Sequence, residues 1–568
     1  MPARTLPRAA VGALLLATGW GSSARADEYT WKNAANGNWN LAGNWNVGGS
    51  VAGVPPAAAD NAIISVAGTY TVALSDPQAI TNLTLNNSTA TLNQTAGTLT
   101  LGGMLTLDAG IYNLNGGTIS GPISGGASIT SAGGLLRLQN NNANALNNVA
   151  IGAGVLDFSA PGARVLLQGT TTLAPGTVLN LTGGISVLAF QQTTMTDGLT
   201  VNLSTSGGAY LSVEGNNTLT LGQTSTVTCA GGSNGEIAGA LYGPGTPIVV
   251  NLGLIRTTGA SSMTILVDTF TNQAGGTVRA ENGTLLVAST HLTNYTGTTL
   301  TGGTWEAWGG STLNFNGRTI STLGTGTTVI LNGTNPTFAA LDSLTTNNGT
   351  IRVLGGKTFN PTAASVTNAG VLEVGTGSTF AKAINLQAGG RVEGAGTLTG
   401  AMTVGGTIAP GNAAVPIGTL ATGGQTWVGG GVYEISYNRN TGAFVAGTDN
   451  DFLNATGSLT VTATPANKFH LHMVYTGPPQ PGAPQISTIK IATFAGGVPP
   501  SLDLNAFQLE GDLFVGGSAF NLMPVGNDVF LTFTPVPEPG SLLLIGAAGA
   551  GALGAVRRLR RRVAMPAG

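Results

Sequence analysis

The stretches GGTWEAWGG (302–310), GTTVILNG (326–333), GTIRVLGG (349–356), GVLEVGTG (370–377) and GRVEGAG (390–396) share one pattern. Glycine opens each, apolar and polar residues alternate for a few positions, and glycine returns. Aligned on Gly303, Gly326, Gly349, Gly370 and Gly390, the spacings are 23, 23, 21 and 20 residues, and GGTIAPG (405–411) follows at Gly406. Period-two alternation is the mark of a half-buried strand, and glycines between strands supply turns. A repeat of about 20 residues made only of strands and turns predicts a solenoid. One turn of a right-handed parallel β-helix fits that length. Its coils would stack about 4.8 Å apart, with inward Leu, Val and Ile in a continuous column and outward Thr and Asn in ladders. Residues 27–410, at about 22 residues per coil, would give about 17 coils and a stack roughly 80 Å long. The competing architecture is one or more antiparallel β-sandwiches.

The same rhythm fills LTLNNSTATLNQTAGTLTLGGMLTLDAGIYNLNGGTI (83–119), and no long helical pattern interrupts it. Composition agrees. The chain has 89 glycines without a Gly-X-Y period, which excludes collagen, and its 42% hydrophobic content is too high for a disordered glycine-rich linker. Charged residues are 8%, against about 25% in ordinary globular domains. The formal charge of −2 hides an imbalance: eight of the 21 basic residues lie before Asp27 or after Val556, so the body carries 13 basic against 23 acidic groups, a charge of −10. No basic patch or run remains there, and nucleic-acid binding is unsupported. The lone Cys229 rules out an internal disulfide and reads as a small buried residue.

The two ends carry address labels. Arg4 and Arg8 precede AAVGALLLATGW (9–20), and Ala24 and Ala26 offer small residues before Asp27. A basic start, a short apolar core and an A-x-A site make a secretory signal peptide, with cleavage expected after Ala26. At the other end, Pro537, Glu538 and Pro539 precede an uncharged run from Ser541 to Val556, and Arg557, Arg558, Arg560, Arg561 and Arg562 follow. The prolines keep the tripeptide extended. The run is shorter than the ~20 residues of an ordinary spanning helix and rich in Gly and Ala, while the arginines form a stop-transfer cluster that stays cytoplasmic. This tripartite tail resembles the PEP-CTERM sorting signal of Gram-negative bacteria. The resemblance implies recognition by an exosortase, cleavage near the tripeptide, a transient stay in the inner membrane, and delivery to the outer surface or extracellular matrix.

Trp31, Trp39 and Trp45, three of seven tryptophans, fall within 15 residues. Their area would cover the open end of the solenoid core. Trp39 and Trp45 are also the candidate glycan contacts. NGNWNLAGNWN (36–46), followed by Pro55, Pro56 and Asp60, resembles the opening of secreted autotransporter-associated β-strand repeat proteins, and GRVEGAGTLTGAMTVGGTIAPGNAAVPIGTLATGG (390–424) resembles the closing repeat of that class. Longer strands then appear in GVYEISYN (431–438), FHLHMVYTG (469–477) and NDVFLTFTPV (527–536). The expected organisation is all-β. It comprises a signal peptide (1–26), a Trp-rich cap (27–60), a β-helix body (61–424), a small all-β C-terminal domain (425–535) and a sorting tail with a short transmembrane helix (536–562).

Chemistry is sparse. Asp76, Asp108, Asp157, Asp197, Glu214 and Glu236 are far apart in sequence, and His291 stands alone. His470 and His472 share one strand face without a third ligand, and Asp449, Asn450 and Asp451 in a loop lack a calcium-binding spacing. No catalytic, cofactor or metal residue is assigned. The expected function is an exported, non-enzymatic cell-surface or matrix protein, adhesive or associated with exported polysaccharide. Its processing partners would be signal peptidase and an exosortase. The alternatives are a polysaccharide-active β-helix lyase or hydrolase, recognisable by three or more acids converging on one groove, and a carbohydrate-binding surface protein.

Overall fold

The computed structural model describes residues 26–123, 126–438, 444–477, 487–511 and 520–533. They are all-β, with short 3₁₀ turns at Ala42–Asn44, Ala339–Ser343 and Leu504–Ala506. Successive strands are dealt onto three faces. In one coil Ser365–Asn368 lies on the first face, Val371–Val374 on the second and Thr379–Phe380 on the third, and Ala383–Leu386 starts the next coil on the first face. Each strand pairs in parallel with its counterpart one coil on: Val366 opposite Ile384, Leu372 opposite Val392, Phe380 opposite Leu398. These parallel-strand sheets fit a β-helix solenoid and are not those of an antiparallel sandwich. Among the described residues the second face is a 14-stranded sheet from Val178–Leu181 to Phe507–Gly511.

The alternation in the repeat is the alternation of the pleat. Along Thr350–Leu354 the inward residues are Ile351 and Val353, the latter with no exposed surface. Ile351 belongs to a column that continues through Val329, Leu372, Val392, Ile408 and Tyr433. Burying one such side chain contributes about 1.5–3 kcal/mol, so the column is the main source of stability.

Gly303 and Gly326 have the positive φ expected of turn glycines (66° and 78°), but at Gly370, Gly390 and Gly406 the cause is different. A Cβ on Gly370 would sit 1.9 Å from the Gly349 oxygen, one on Gly390 2.3 Å from the Asn368 oxygen, and one on Gly406 2.2 Å from the Gln387 oxygen. Backbones of successive coils meet at this corner, and a side chain has no room. The sequence alignment slips by one residue at Gly326. Thr304, Thr328 and Thr350 are the register partners, which places Thr327, not Gly326, beside Gly349. A side chain does stand at that one coil, buried, and the Thr327 hydroxyl donates to the Leu300 carbonyl at 3.0 Å.

Asparagine forms the expected outward ladders, as between Asn202 and Asn180 (2.7 Å) and between Asn113 and Asn93 (3.2 Å), but not everywhere. At the corner before the second face it points inward and is buried. Asn347 donates to Asn368 Oδ1 (2.6 Å) and to the Val371 carbonyl (2.9 Å), while its own Oδ1 accepts from Gly349 N (3.1 Å). Asn251 repeats these contacts with Asn272, Thr277 and Gly253. These amides supply partners to backbone groups at the bend, which would otherwise be buried unpaired.

Antiparallel elements cover a sheet edge at each end. Strand Glu28–Trp31 lies parallel on Asn61–Ile64 and antiparallel to Trp45–Val47. Trp31, Trp39 and Trp45 interlock edge to face, with centroids 5.1 Å (Trp31–Trp45) and 4.8 Å (Trp39–Trp45) apart. At the far end the hairpin Phe520–Val525/Asp528–Phe533 pairs antiparallel to Ser487–Phe494. Residue 425, where a separate C-terminal domain was expected to begin, falls in Gln425–Trp427, a strand paired in parallel on both sides. No helix among the described residues is long and apolar enough to cross a membrane. The expected sorting helix lies outside them.

Val353→Asp is expected to cost about 3 kcal/mol or more, because an unpaired charge enters the column. Thr358→Asp, at an exposed position, should stay within about 0.5 kcal/mol. Urea denaturation of the two variants against the parent chain measures the difference.

Candidate functional site

Residues at one register position of a solenoid face stack above one another however far apart they are in sequence. On the second face one outward position reads Thr228, Arg256, Arg279, Glu306, Ile330, Arg352, Glu373, Glu393 and Ala409. On the next three strands of the face the same line carries Glu434, His472 and Glu510 in turn. A chain with 8% charged residues thus gathers many of them into one stripe.

The stripe is an ion-pair ladder. Arg279 Nε donates to Glu306 at 2.6 Å and its guanidinium lies 4.4 Å over the Trp308 ring, whose indole N–H donates to the same carboxylate at 2.7 Å. Arg352 bonds Glu373, whose other oxygen accepts from Asn412 at 2.9 Å. Arg391 binds two carboxylates: Nε donates to Glu393 at 2.6 Å, and Nη2 and Nη1 donate to Glu434 at 2.7 and 3.2 Å. Glu434 is two strands away. The intervening strand Thr407–Pro410 carries Ala409 in register with Glu393, and a methyl there leaves room for the guanidinium. His472 stands 3.7 Å from Glu434 and His470 3.2 Å from Glu510.

These contacts fix the charge states. His472 and Arg391 hold the Glu434 carboxyl down at about 2 against the burial that opposes them. Arg391 is itself held above the usual guanidinium value by Glu434 and Glu393, although burial works the other way. Glu434 is therefore a carboxylate at neutral pH and cannot act as a general acid there. Asp451 is the opposite case: burial pushes it up to about 8. Its oxygens face the Gly418 N–H at 2.8 Å and the Ser436 N–H at 2.7 Å, and it has no exposed surface. It ties a loop to the stack and meets no solute.

Other sequence expectations resolve differently. Trp39 and Trp45 have 1% and 0% of their surface exposed. Neither offers a ring face to a sugar, because closing the end of the core consumes both faces. Asn450 and Asp451 are buried with backbone partners and do not form an open loop. His291 has a neighbour, Asp268, at 3.4 Å. Among the described residues no group of three or more His, Cys, Asp or Glu could hold a metal ion. Of the signal cleavage residues, Ala26 and Asp27 open the described chain. Ala24, the tripeptide Pro537, Glu538 and Pro539, and Arg557, Arg558, Arg560, Arg561 and Arg562 lie outside it. The ladder itself was missed in sequence, although a signal existed: Glu306, Arg352, Glu373 and Glu393 each stand three residues after an aligned glycine.

Glu434→Gln should cost about 1–3 kcal/mol, because it strips a charged acceptor from Arg391 and His472. Glu434 has a folded-state value below its ordinary 4.5. Its contribution is complete above that pH and is lost as pH falls toward 2. Thermal unfolding between pH 6 and pH 2 should therefore show a shallower acid loss in Glu434→Gln than in the parent.

Residues 535–562 match the model of the PEP-CTERM protein-sorting motif. That motif implies export and sorting by an exosortase to the surface of a Gram-negative cell. The match covers the tail alone and leaves the likeness of the body to autotransporter-associated repeats as a resemblance in sequence. No curated protein matches the chain.

Proposed function

We propose that the chain is an exported, non-enzymatic surface scaffold, held transiently in the inner membrane by its tail and released by an exosortase to the outer surface or extracellular matrix, where it associates with exported polysaccharide. The sorting motif at residues 535–562 carries this reading. The body supports it: a long stack with antiparallel strands at its two ends, and a charged stripe whose guanidinium and carboxylate groups bind each other. The short apolar run and the five arginines suit a segment that stalls in the bilayer and is then cut away.

A polysaccharide-active enzyme is the second reading, favoured by one observation: Glu373, Glu393 and Glu434 lie along one line of the second face. Acid–base work on a glycosidic bond needs one carboxyl protonated near neutral pH and a second free to act. The hold of Arg391 and His472 on Glu434 argues for structure over catalysis there.

The test is the intact mass and cell fraction of the mature protein in a host with and without its exosortase. Loss of the arginine tail and surface delivery are expected only when the enzyme is present. Glu538→Ala should leave an uncut precursor in the inner membrane. Surface protein still carrying the arginines would overturn transient anchoring and make the tail a permanent anchor.

A further inference from the structure

The third face is broken in the middle. Its first ladder, an 11-stranded sheet among the described residues, ends at Thr312–Asn314, and the next begins at Thr358–Phe359. A single bridge, Thr312 to Thr337, spans part of the gap. Local sequence explains the break. Asn316 and Gly317 both have positive φ (51° and 76°), and Arg318 N bonds the Phe315 carbonyl at 3.1 Å, so an Asn-Gly turn throws the chain outward. One coil later the 3₁₀ turn Ala339–Ser343 replaces a strand.

Between these turns lies a cavity of about 280 Å³, just under the ~300–1,000 Å³ of ordinary small-molecule sites. Buried Leu313 and Phe315 contribute apolar lining, and Thr312, Asn314 and Thr337 contribute polar groups. Arg318 lines it too. Its Nη1 donates to the carbonyls of Val287 (3.2 Å) and Phe315 (3.3 Å), and its Nη2 to that of Ser289 (2.5 Å). A guanidinium has five N–H donors, so one on Nε and one on Nη2 remain, on neighbouring nitrogens. Unlike Arg279, Arg352 and Arg391 in the ladder, Arg318 has no carboxylate within ion-pair distance among the described residues. Three carbonyls and the Tyr295 ring, 5.9 Å away, hold the guanidinium in place.

We propose that this cavity is a binding subsite for a carboxylated pyranose, a uronic acid unit. The carboxylate takes the two remaining donors of Arg318 in a fork, the pattern for which guanidinium is shaped. Ring hydroxyls exchange hydrogen bonds with Thr312, Asn314 and Thr337, and the C–H face of the ring rests on the apolar lining. The volume fits one ring. The single cation, set in a body of charge −10, favours one monoanionic group over phosphate, which would call for more positive charge. The inference extends the surface reading without resting on it, because binding is read on purified protein and delivery is read in the cell.

The test is calorimetric titration of the purified full chain with a methyl glucuronoside, a methyl glucoside, inorganic phosphate and a short uronate oligosaccharide. The glucuronoside should bind at least about tenfold more tightly than the glucoside and the phosphate. Binding should fall at least about tenfold in Arg318→Gln, and also in Ala339→Tyr, which fills the cavity from an exposed position and leaves Arg318 intact. Stronger binding of the oligosaccharide than of the glucuronoside would assign the subsite to a polymer, and equal binding would assign it to single sugars. Equal affinity for glucoside and glucuronoside, tighter binding of phosphate, binding unchanged by Ala339→Tyr, or no binding of any probe would each overturn the proposal.

Discussion

The backbone of each coil finds its hydrogen-bond partners in the coils above and below. That demand governs the rest of the structure. Successive coils must lie in register over long distances, and each register position then becomes a column whose members touch. An apolar column makes the core, as from Trp305 through Val329 and Ile351 to Leu372. An amide column makes the ladder of Asn251 with Asn272 and Asn347 with Asn368. A charged column makes the ladder of Arg279 with Glu306 and Arg352 with Glu373, and Arg391, one outward position to the side, ties Glu393 to Glu434. Side chains are selected less by their chain neighbours than by the residue about 20 positions away.

The same demand creates the ends. A terminal coil has unpaired N–H and C=O groups on one side, an invitation to pair with other chains. Antiparallel strands close the first coil, and the tryptophan cluster covers the core behind them. An antiparallel hairpin closes the third face at the other end. The break in that face at residues 315–357 is the interior counterpart. Two turns interrupt the ladder, and a cavity opens where a strand would have been.

Strand content and stacking were legible because alternation and spacing are local properties. Ile351 and Val353 announce an inward side with no knowledge of what lies across from them. What was not legible depends on three-dimensional register. Gly326 and Thr327 are adjacent, and the choice between them as the corner residue is made by pairing with Thr304 and Thr350. Asparagine is polar and was placed outside, yet the backbone at the corner needs internal partners and Asn347 supplies them. The covering role of Trp39 and Trp45 was legible from their clustering, but that it leaves no ring face for a sugar depends on how the three rings interlock. Glu306, Glu373 and Glu393 share an offset of three residues from their glycines, but the long excursion after residue 411 hides that Glu434 continues their line.

The central claim is the register of the parallel stack, and cysteine pairing reads it most directly. Thr328 and Thr350 are partners on adjacent coils, while Val371 lies one coil farther. Adjacent partners should have Cα atoms about 4.8 Å apart, within the range a disulfide spans, and residues two coils apart should lie about 10 Å from each other, beyond it. The native Cys229 is buried and should not compete. Under mild oxidation the Thr328→Cys/Thr350→Cys chain should cross-link internally, and the Thr328→Cys/Val371→Cys chain should keep free thiols. Cross-linking in the second pair and none in the first would contradict the register and the stack built on it.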